Sequence, residues 1–110
     1  MRFELHCHST CSDGTDAPAR VAERVAASAV DVFALTDHDT CAGCEVAGGI
    51  RAVEVTCEYE GRTIHVLAYR RRDGWAAARA HGLAATPEPA DAWGLLEERL
   101  AAVRTARRNR

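Results

Sequence analysis

Three observations predict an α/β fold for this 110-residue chain. An alternating apolar and polar run opens it, an amphipathic helical stretch follows, and a short continuous apolar run comes next, which together make a parallel strand–helix–strand crossover. Two more strand-like runs, separated by Glu60-Gly61, then predict a hairpin. The length corresponds to one domain over residues 1–110, with room for a modest core.

Each element has its own signal. Phe3 to His8 alternates with period two, so the first strand begins almost at the first residue. Ser9 to Asp16 is built from loop-forming residues, and Asp16 before Ala17-Pro18 predicts a helix cap with proline in the first turn. From Pro18 to about Ala29, Val21, Ala22, Val25, Ala26 and Ala29 share one face, while Arg20, Glu23 and Arg24 point elsewhere. Val30 to Thr36 is a largely buried strand ending in the polar burst Asp37-His38-Asp39-Thr40. Cys41 to Gly49 is rich in small residues and reads as irregular chain or one turn of helix.

A third strand runs from about Ile50 to Tyr59, with Val53, Val55 and Cys57 on one face and Glu54, Thr56 and Glu58 on the other. Thr63 to Tyr69 is the fourth, carrying His65. Beyond the motif-bearing part, 1–69, residues 75–81 predict a short alanine-rich helix and 82–90 a linker marked by two prolines. Trp93, Leu96, Leu100 and Val103 recur at helical spacing, so a helix over about 91–108 closes the chain, with Arg104, Arg107 and Arg108 in its last turn, where they suit the dipole.

Composition narrows the class further. With 47% hydrophobic and 27% charged residues and no low-complexity tract, disordered and fibrous classes drop out. The opening residues lack the apolar core of a signal peptide, and no apolar run is long enough to span a bilayer. A cytoplasmic location without membrane partners is expected. Five cysteines in a reducing compartment should then be thiols or ligands rather than a disulfide framework. Residues 1–60 hold eleven acids against four arginines, and residues 61–110 hold ten arginines against five acids. The acidic half, with three of the five histidines, suits a cation; the basic half suits an anion, or plain solvation.

The candidate chemistry lies at the strand ends. His6 and His8, two apart on a strand, project from one face and can grip one metal ion, although a pair of surface histidines would look the same. Asp13 follows the first strand, Asp37-His38-Asp39 follows the second, Glu54 is within the third, and His65 is within the fourth. Sites assemble at such C-terminal ends in α/β folds. Glu54, between Val53 and Val55, needs a cation: a metal would serve, and so would an arginine. His65, among apolar neighbours, is expected to be half-buried, as a ligand or as a core histidine bonded to backbone. Cys41-Ala-Gly-Cys44 has the spacing of a zinc half-site or a redox pair, set against the simpler reading of incidental thiols. Arg104, Arg107, Arg108 and Arg110 could hold a phosphate or form a solvated helix end; without interleaved aromatics they are no nucleic-acid groove, and stable binding to duplex nucleic acid is not expected.

Leu5-His6-Cys7-His8-Ser9-Thr10-x-Ser12-Asp13-Gly14-Thr15, Ala34-Leu35-Thr36-Asp37-His38-Asp39-Thr40-x-Ala42-Gly43, Val53-Glu54-Val55-Thr56-Cys57 and Ile64-His65-Val66-Leu67-Ala68-Tyr69 closely resemble the amino-terminal half of the PHP (polymerase and histidinol phosphatase) family. With Arg104-x-x-Arg107, the flavour is similar to the bacterial branch that dephosphorylates 3',5'-bisphosphonucleotides and trims RNA from its 5' end. The resemblance implies part of a distorted (β/α)7 barrel, here about four strands with two or three helices. It implies up to three divalent ions, Mn, Fe or Zn: one held by His6, His8 and Glu54, a second shared by Glu54 with His65, a third by Asp13 with His38. Asp37 and Asp39 would orient ligands or cap loops, and Arg104 and Arg107 would reach a substrate phosphate. The implied activity is metal-dependent hydrolysis of a phosphate monoester on a nucleotide or short oligonucleotide. The family also uses a later histidine and a terminal Asp-x-His pair, and here only His81 remains, matching neither. A partner chain or a missing C-terminal half would supply the remaining ligands; the alternatives are a truncated, non-catalytic metal-binding PHP fragment and a Cys-x-x-Cys zinc or redox thiol protein.

Overall fold

The computed structural model describes residues 1–70 and 92–108. Residues 1–69 form one compact unit, and α3, described below, belongs to a second. In the first unit, β1 (Phe3–Cys7), α1 (Pro18–Ala26), β2 (Val32–Leu35), α2 (Cys44–Ala47), β3 (Ile50–Tyr59) and β4 (Arg62–Tyr69) follow in order. The four strands make one curled sheet in the order β1-β2-β3-β4, a half-barrel. The first three are parallel and β4 returns antiparallel, with Thr56 opposite His65 and Glu54 opposite Leu67. The curl brings the Tyr69 hydroxyl of β4 to the Leu5 carbonyl of β1, to which it donates at 2.6 Å.

The two helices cover one face of the sheet. Val21 of α1, Leu35 of β2 and Ala47 of α2 form the core, with Cys7, Val25 and Phe33 packed around them. Leu35, Val53, Ala34 and Ala52 are wholly buried. A parallel sheet needs such a cover of helices.

Several boundaries differ from the expected ones for local reasons. The helix α1 stops at Ala26, three residues early, because the Ser28 hydroxyl donates to the Val25 carbonyl at 2.7 Å and its N–H takes the same acceptor. Its N-cap is Ala17, without a side-chain bond; Asp16 instead accepts from Arg24 at 2.7 Å, and Pro18 occupies the first helical position. Strand β2 is shorter than predicted at both ends. The run 41–49 contains the single helical turn α2.

β1 hides a larger departure. Glu4 pairs with Phe33 and Cys7 with Leu35, so three steps on β1 oppose two on β2, a bulge. Thr36 closes the gap: its N–H donates to the Cys7 carbonyl at 2.8 Å, while its hydroxyl accepts from the Cys7 N–H at 3.1 Å.

The turn into β3 depends on Gly49, at φ 76°, where an added Cβ would lie 2.6 Å from the Phe33 carbonyl oxygen. Left-handed backbone alone costs a non-glycine residue about 1–2 kcal/mol, and the contact adds to it. Gly49→Ala should therefore lower stability by about 2 kcal/mol or more in a urea melt.

Of the second unit, α3 (Ala92–Arg108) is described. Trp93 Nε1 donates to Glu97 Oε1 at 3.1 Å, an (i, i+4) pair. Leu100 is buried and Trp93 and Leu96 half-buried, but Val103, expected on the same stripe, is 43% exposed. The expected helix 75–81 and linker 82–90 lie outside the described residues.

Candidate metal centre

The concave face of the half-barrel gathers His6, His8, Asp13, His38, Glu54 and His65. Glu54 is the centre. It is 5% exposed, and its backbone is fixed on both sides, the N–H donating to the Asp37 carbonyl and the carbonyl accepting from the Asp39 N–H, both at 3.0 Å. That bridge runs β2's polar tail along β3 and sets His38 beside Glu54.

Its carboxylate meets four imidazoles. Oε1 lies 2.5 Å from His6 Nε2 and 3.3 Å from His8 Nε2; Oε2 lies 3.4 Å from His38 Nδ1 and 3.4 Å from His65 Nδ1. Among the described residues no arginine reaches it, so the arginine reading of this buried acid is set aside. The rings run in a row, His6–His8, His8–His38 and His38–His65, with centroids 5.1, 4.6 and 5.2 Å apart. Asp13 closes the far side, with Oδ1 3.2 Å from His8 Nδ1 and Oδ2 3.1 Å from His38 Nε2.

These spacings test the fit to a cation. Separations of 3.3–3.4 Å between nitrogen and carboxylate oxygen are long for charge-assisted hydrogen bonds, which centre on about 2.7–2.9 Å. Two ligand atoms about 2.0–2.1 Å from one tetrahedral ion, however, sit about 3.3–3.4 Å apart. Three sets have their ligand atoms within 4.8 Å of one another: His6 with His8 and Glu54, His8 with Asp13 and His38, and His38 with Glu54 and His65. His38 thus stands with Glu54 and His65 as well as with Asp13, and His8 stands with Asp13 as well as with Glu54, contacts that sequence reasoning did not anticipate. Mixed imidazole and carboxylate donors suit Mn, Fe or Zn.

His65 faces Glu54 and is not a core histidine. Its side chain is 46% exposed, because β4 has no described strand on its outer edge. His6 and Asp13 are also open, at 52% and 66%. The buried carboxylate sits at the bottom and these open side chains form the rim.

The loop 9–14 is held by a network that sequence reasoning reaches only in part. Asp37, 1% exposed, accepts from the Ser9 N–H at 2.7 Å, the Ser9 hydroxyl at 2.6 Å and the Ser12 hydroxyl at 2.6 Å. Asp39, at φ 55°, accepts from the Thr56 N–H at 2.7 Å. Both carboxylates tie loops to strands. In the sequence Ser9 and Ser12 look like ordinary loop residues, and Ser9-x-x-Ser12-Asp13-Gly14 is the only signal of their role. At Gly14 an added Cβ would strike the His8 carbonyl and, at 2.7 Å, the Ser9 nitrogen, so this glycine lets Asp13 fold back over His8. Gly14→Ala is expected to weaken Mn(II) binding by about tenfold, the scale of losing a supporting contact. Calorimetric titration would check this.

Arg104 is half-buried on α3, while the side chain of Arg107 and the whole of His81 lie outside the described residues. Among the described residues, no helix is long and apolar enough to cross a membrane.

The four strands and their motifs can be set beside known proteins. No family model matches the chain. It is 43% identical over 75 residues to a 5'-3' exoribonuclease of Haemophilus influenzae, covering 60% of this chain and 27% of that protein. It is 36% identical over 92 residues to a phosphoribosyl 1,2-cyclic phosphate 1,2-diphosphodiesterase of Eggerthella lenta, covering 73% and 35%. A 3',5'-nucleoside bisphosphate phosphatase of Chromobacterium violaceum is 36% identical over 74 residues, covering 59% and 26%. A solved structure from Bifidobacterium adolescentis, described as a metal-dependent phosphoesterase, superposes on the whole chain with a TM-score of 0.70 at 25% identity, over 35% of its own length. The chain belongs to the PHP family. It spans about a quarter to a third of the length of the relatives it matches. These PHP relatives are all hydrolases of phosphate esters by name, with different substrates.

Proposed function

We propose that this chain carries the metal-binding part of a phosphoesterase that hydrolyses a phosphate monoester on a nucleotide or short oligonucleotide, as the bisphosphate phosphatase among its relatives does by name. The observation that carries the reading is Glu54: a buried carboxylate that meets four imidazoles, three of them, His8, His38 and His65, at the 3.3–3.4 Å spacing of shared ligands. His6, His8 and Glu54 would hold one ion, Glu54 with His65 and His38 a second, and Asp13 with His38 and His8 a third. Divalent ions bound there supply charge neutralisation for the phosphate and acidify a water near neutral pH.

The chain's own residues do the rest. Glu54 fixes the spacing of two sets by belonging to both. Asp37 and Asp39 hold the loops that present Asp13 and His38, as partners beyond the ligands do in metal sites generally. The exposed rim of His6, Asp13 and His65 leaves a phosphate room to approach. No covalent nucleophile is required.

Elemental analysis and Mn(II) titration of the purified chain, with hydrolysis of adenosine 3',5'-bisphosphate followed by phosphate release, test the proposal. More than one Mn(II) per chain and metal-dependent release are expected, with His8→Ala losing both. Absence of bound metal would overturn the reading, and metal binding without hydrolysis would leave a binding module only.

A further inference from the structure

Cys41 and Cys44 take no part in the proposed hydrolysis. Both are thiols and both are buried, at 6% and 7% exposure. The Cys44 N–H donates to the Cys41 carbonyl at 3.0 Å, which makes the pair the two ends of one tight turn. Such ends lie within about 7 Å at Cα, and a disulfide needs about 4.4–6.8 Å. Three residues apart in one turn, the two side chains start from backbone close enough for a disulfide to join them. A zinc site is less well supported: among the described residues, no third ligand atom groups with this pair.

We propose that Cys41 and Cys44 are a redox-active dithiol that hydrogen peroxide converts reversibly to a disulfide, and that the disulfide weakens the cation site beside it. The second half of this rests on the metal-site reading above.

In the reaction, the Cys44 sulfur attacks as thiolate on one peroxide oxygen and the O–O bond breaks. A sulfenic acid forms, and the departing hydroxide takes up the proton that Cys44 released. The Cys41 sulfur then attacks the Cys44 sulfur, the S–O bond breaks, and the hydroxyl leaves as water with the Cys41 proton. Two thiols lose two electrons and two protons, and the peroxide becomes two waters.

The assignment of Cys44 as attacker has support in its surroundings. The hydrogen bond from Cys41 holds its thiol down to about 6 against the opposing effect of burial, so thiolate is available at neutral pH. Cys7 contrasts with it: burial, then the charges of Glu4 and Asp37, push its thiol up.

The path to the cation site is short. In the protonated state the Cys44 thiol donates towards the Ala52 carbonyl at 3.3 Å and the Leu35 carbonyl at 3.6 Å. These lie two residues before Glu54 and Asp37 respectively. Gly43, inside the turn, is packed so closely that a Cβ there would be 2.8 Å from Leu35 Cδ2 and 3.2 Å from Asp37 Oδ2. A disulfide pulls the Cys44 sulfur toward Cys41 and away from these carbonyls, and it repacks the turn against Asp37, which holds Ser9 and Ser12.

The test uses the full chain, exposed to hydrogen peroxide and then alkylated. Loss of two hydrogens by intact mass, with Cys41 and Cys44 protected from alkylation and Cys11→Ser behaving alike, is expected. Mn(II) affinity should fall by about tenfold, the scale for disturbing a supporting contact, and recover with dithiothreitol. Amide exchange over 37–44 should quicken together with it. Alkylation of both cysteines after peroxide would overturn the dithiol; a disulfide with unchanged Mn(II) affinity and unchanged exchange would overturn the coupling. If the reduced chain binds no Mn(II), the proposed function fails, and mass and exchange still decide the redox pair.

Discussion

Replacing Glu54 with glutamine is expected to remove two of the three cation sets and to lower metal-dependent hydrolysis by more than about a hundredfold, the upper end of what losing a ligand's supporting partner costs. Glutamine keeps the volume and one acceptor but lacks the charge that attracts a cation. It also turns an amide nitrogen toward imidazole nitrogens that now face oxygen at 3.3–3.4 Å. Glu54 belongs to both the His6–His8 and the His38–His65 sets, so a single substitution reaches both. The set of His8, Asp13 and His38 is left intact, and a single remaining Mn(II) is the predicted stoichiometry. The fold should survive, because the Glu54→Gln variant keeps the backbone bonds to Asp37 and Asp39. Wild-type stoichiometry in the variant would show that the centre is not built around this carboxylate. Thermal melts without metal separate the effect from unfolding.

Much of the architecture was legible in the sequence because the signals were local. The alternation from Ile50 to Tyr59 marked β3 at its observed ends, and Glu60-Gly61 marked the hairpin, with both residues at positive φ. Other features depend on contacts between distant residues. The bulge between Glu4 and Cys7 is a property of how β1 pairs with β2, and no periodicity within β1 reports it. The early stop of α1 comes from one serine hydroxyl preferring the Val25 carbonyl. His65 keeps nearly half of its side chain exposed at its place on β4, and its apolar neighbours in sequence do not show that it faces Glu54. The six residues gathered on this face stand in motifs of the sequence; that four imidazoles converge on one carboxylate required the parallel crossover and the hairpin to curl into one face. Asp37 shows the same limit in reverse. Its position beside His38 suggested a supporting role, but its partners, Ser9 and Ser12, lie 28 and 25 residues away.

Asp37→Ala is predicted to be the most damaging substitution for the fold itself. Hydrogen bonds to a charged acceptor contribute about 1.5–3 kcal/mol each, and a buried donor left unpaired costs about 1–3 kcal/mol. Asp37 accepts three, from the Ser9 N–H, the Ser9 hydroxyl and the Ser12 hydroxyl, and Ser9 is wholly buried. Alanine would leave the buried Ser9 N–H without the acceptor it now has. A loss of about 3 kcal/mol or more follows, and for a unit of this size each kcal/mol lowers Tm by about 4–8 °C. Asp37→Asn should cost less, since its carbonyl oxygen can still accept from the Ser9 N–H and the serine hydroxyls can rotate to meet the amide. Because the loop 9–14 carries Asp13, Asp37→Asn should weaken the Asp13–His38–His8 cation set before it affects the His6–His8–Glu54 set. Calorimetric melts of both variants, with Mn(II) titration of the asparagine variant, check the order. Equal melting temperatures for wild type and Asp37→Ala would mean that the serine loop is held by something other than this carboxylate.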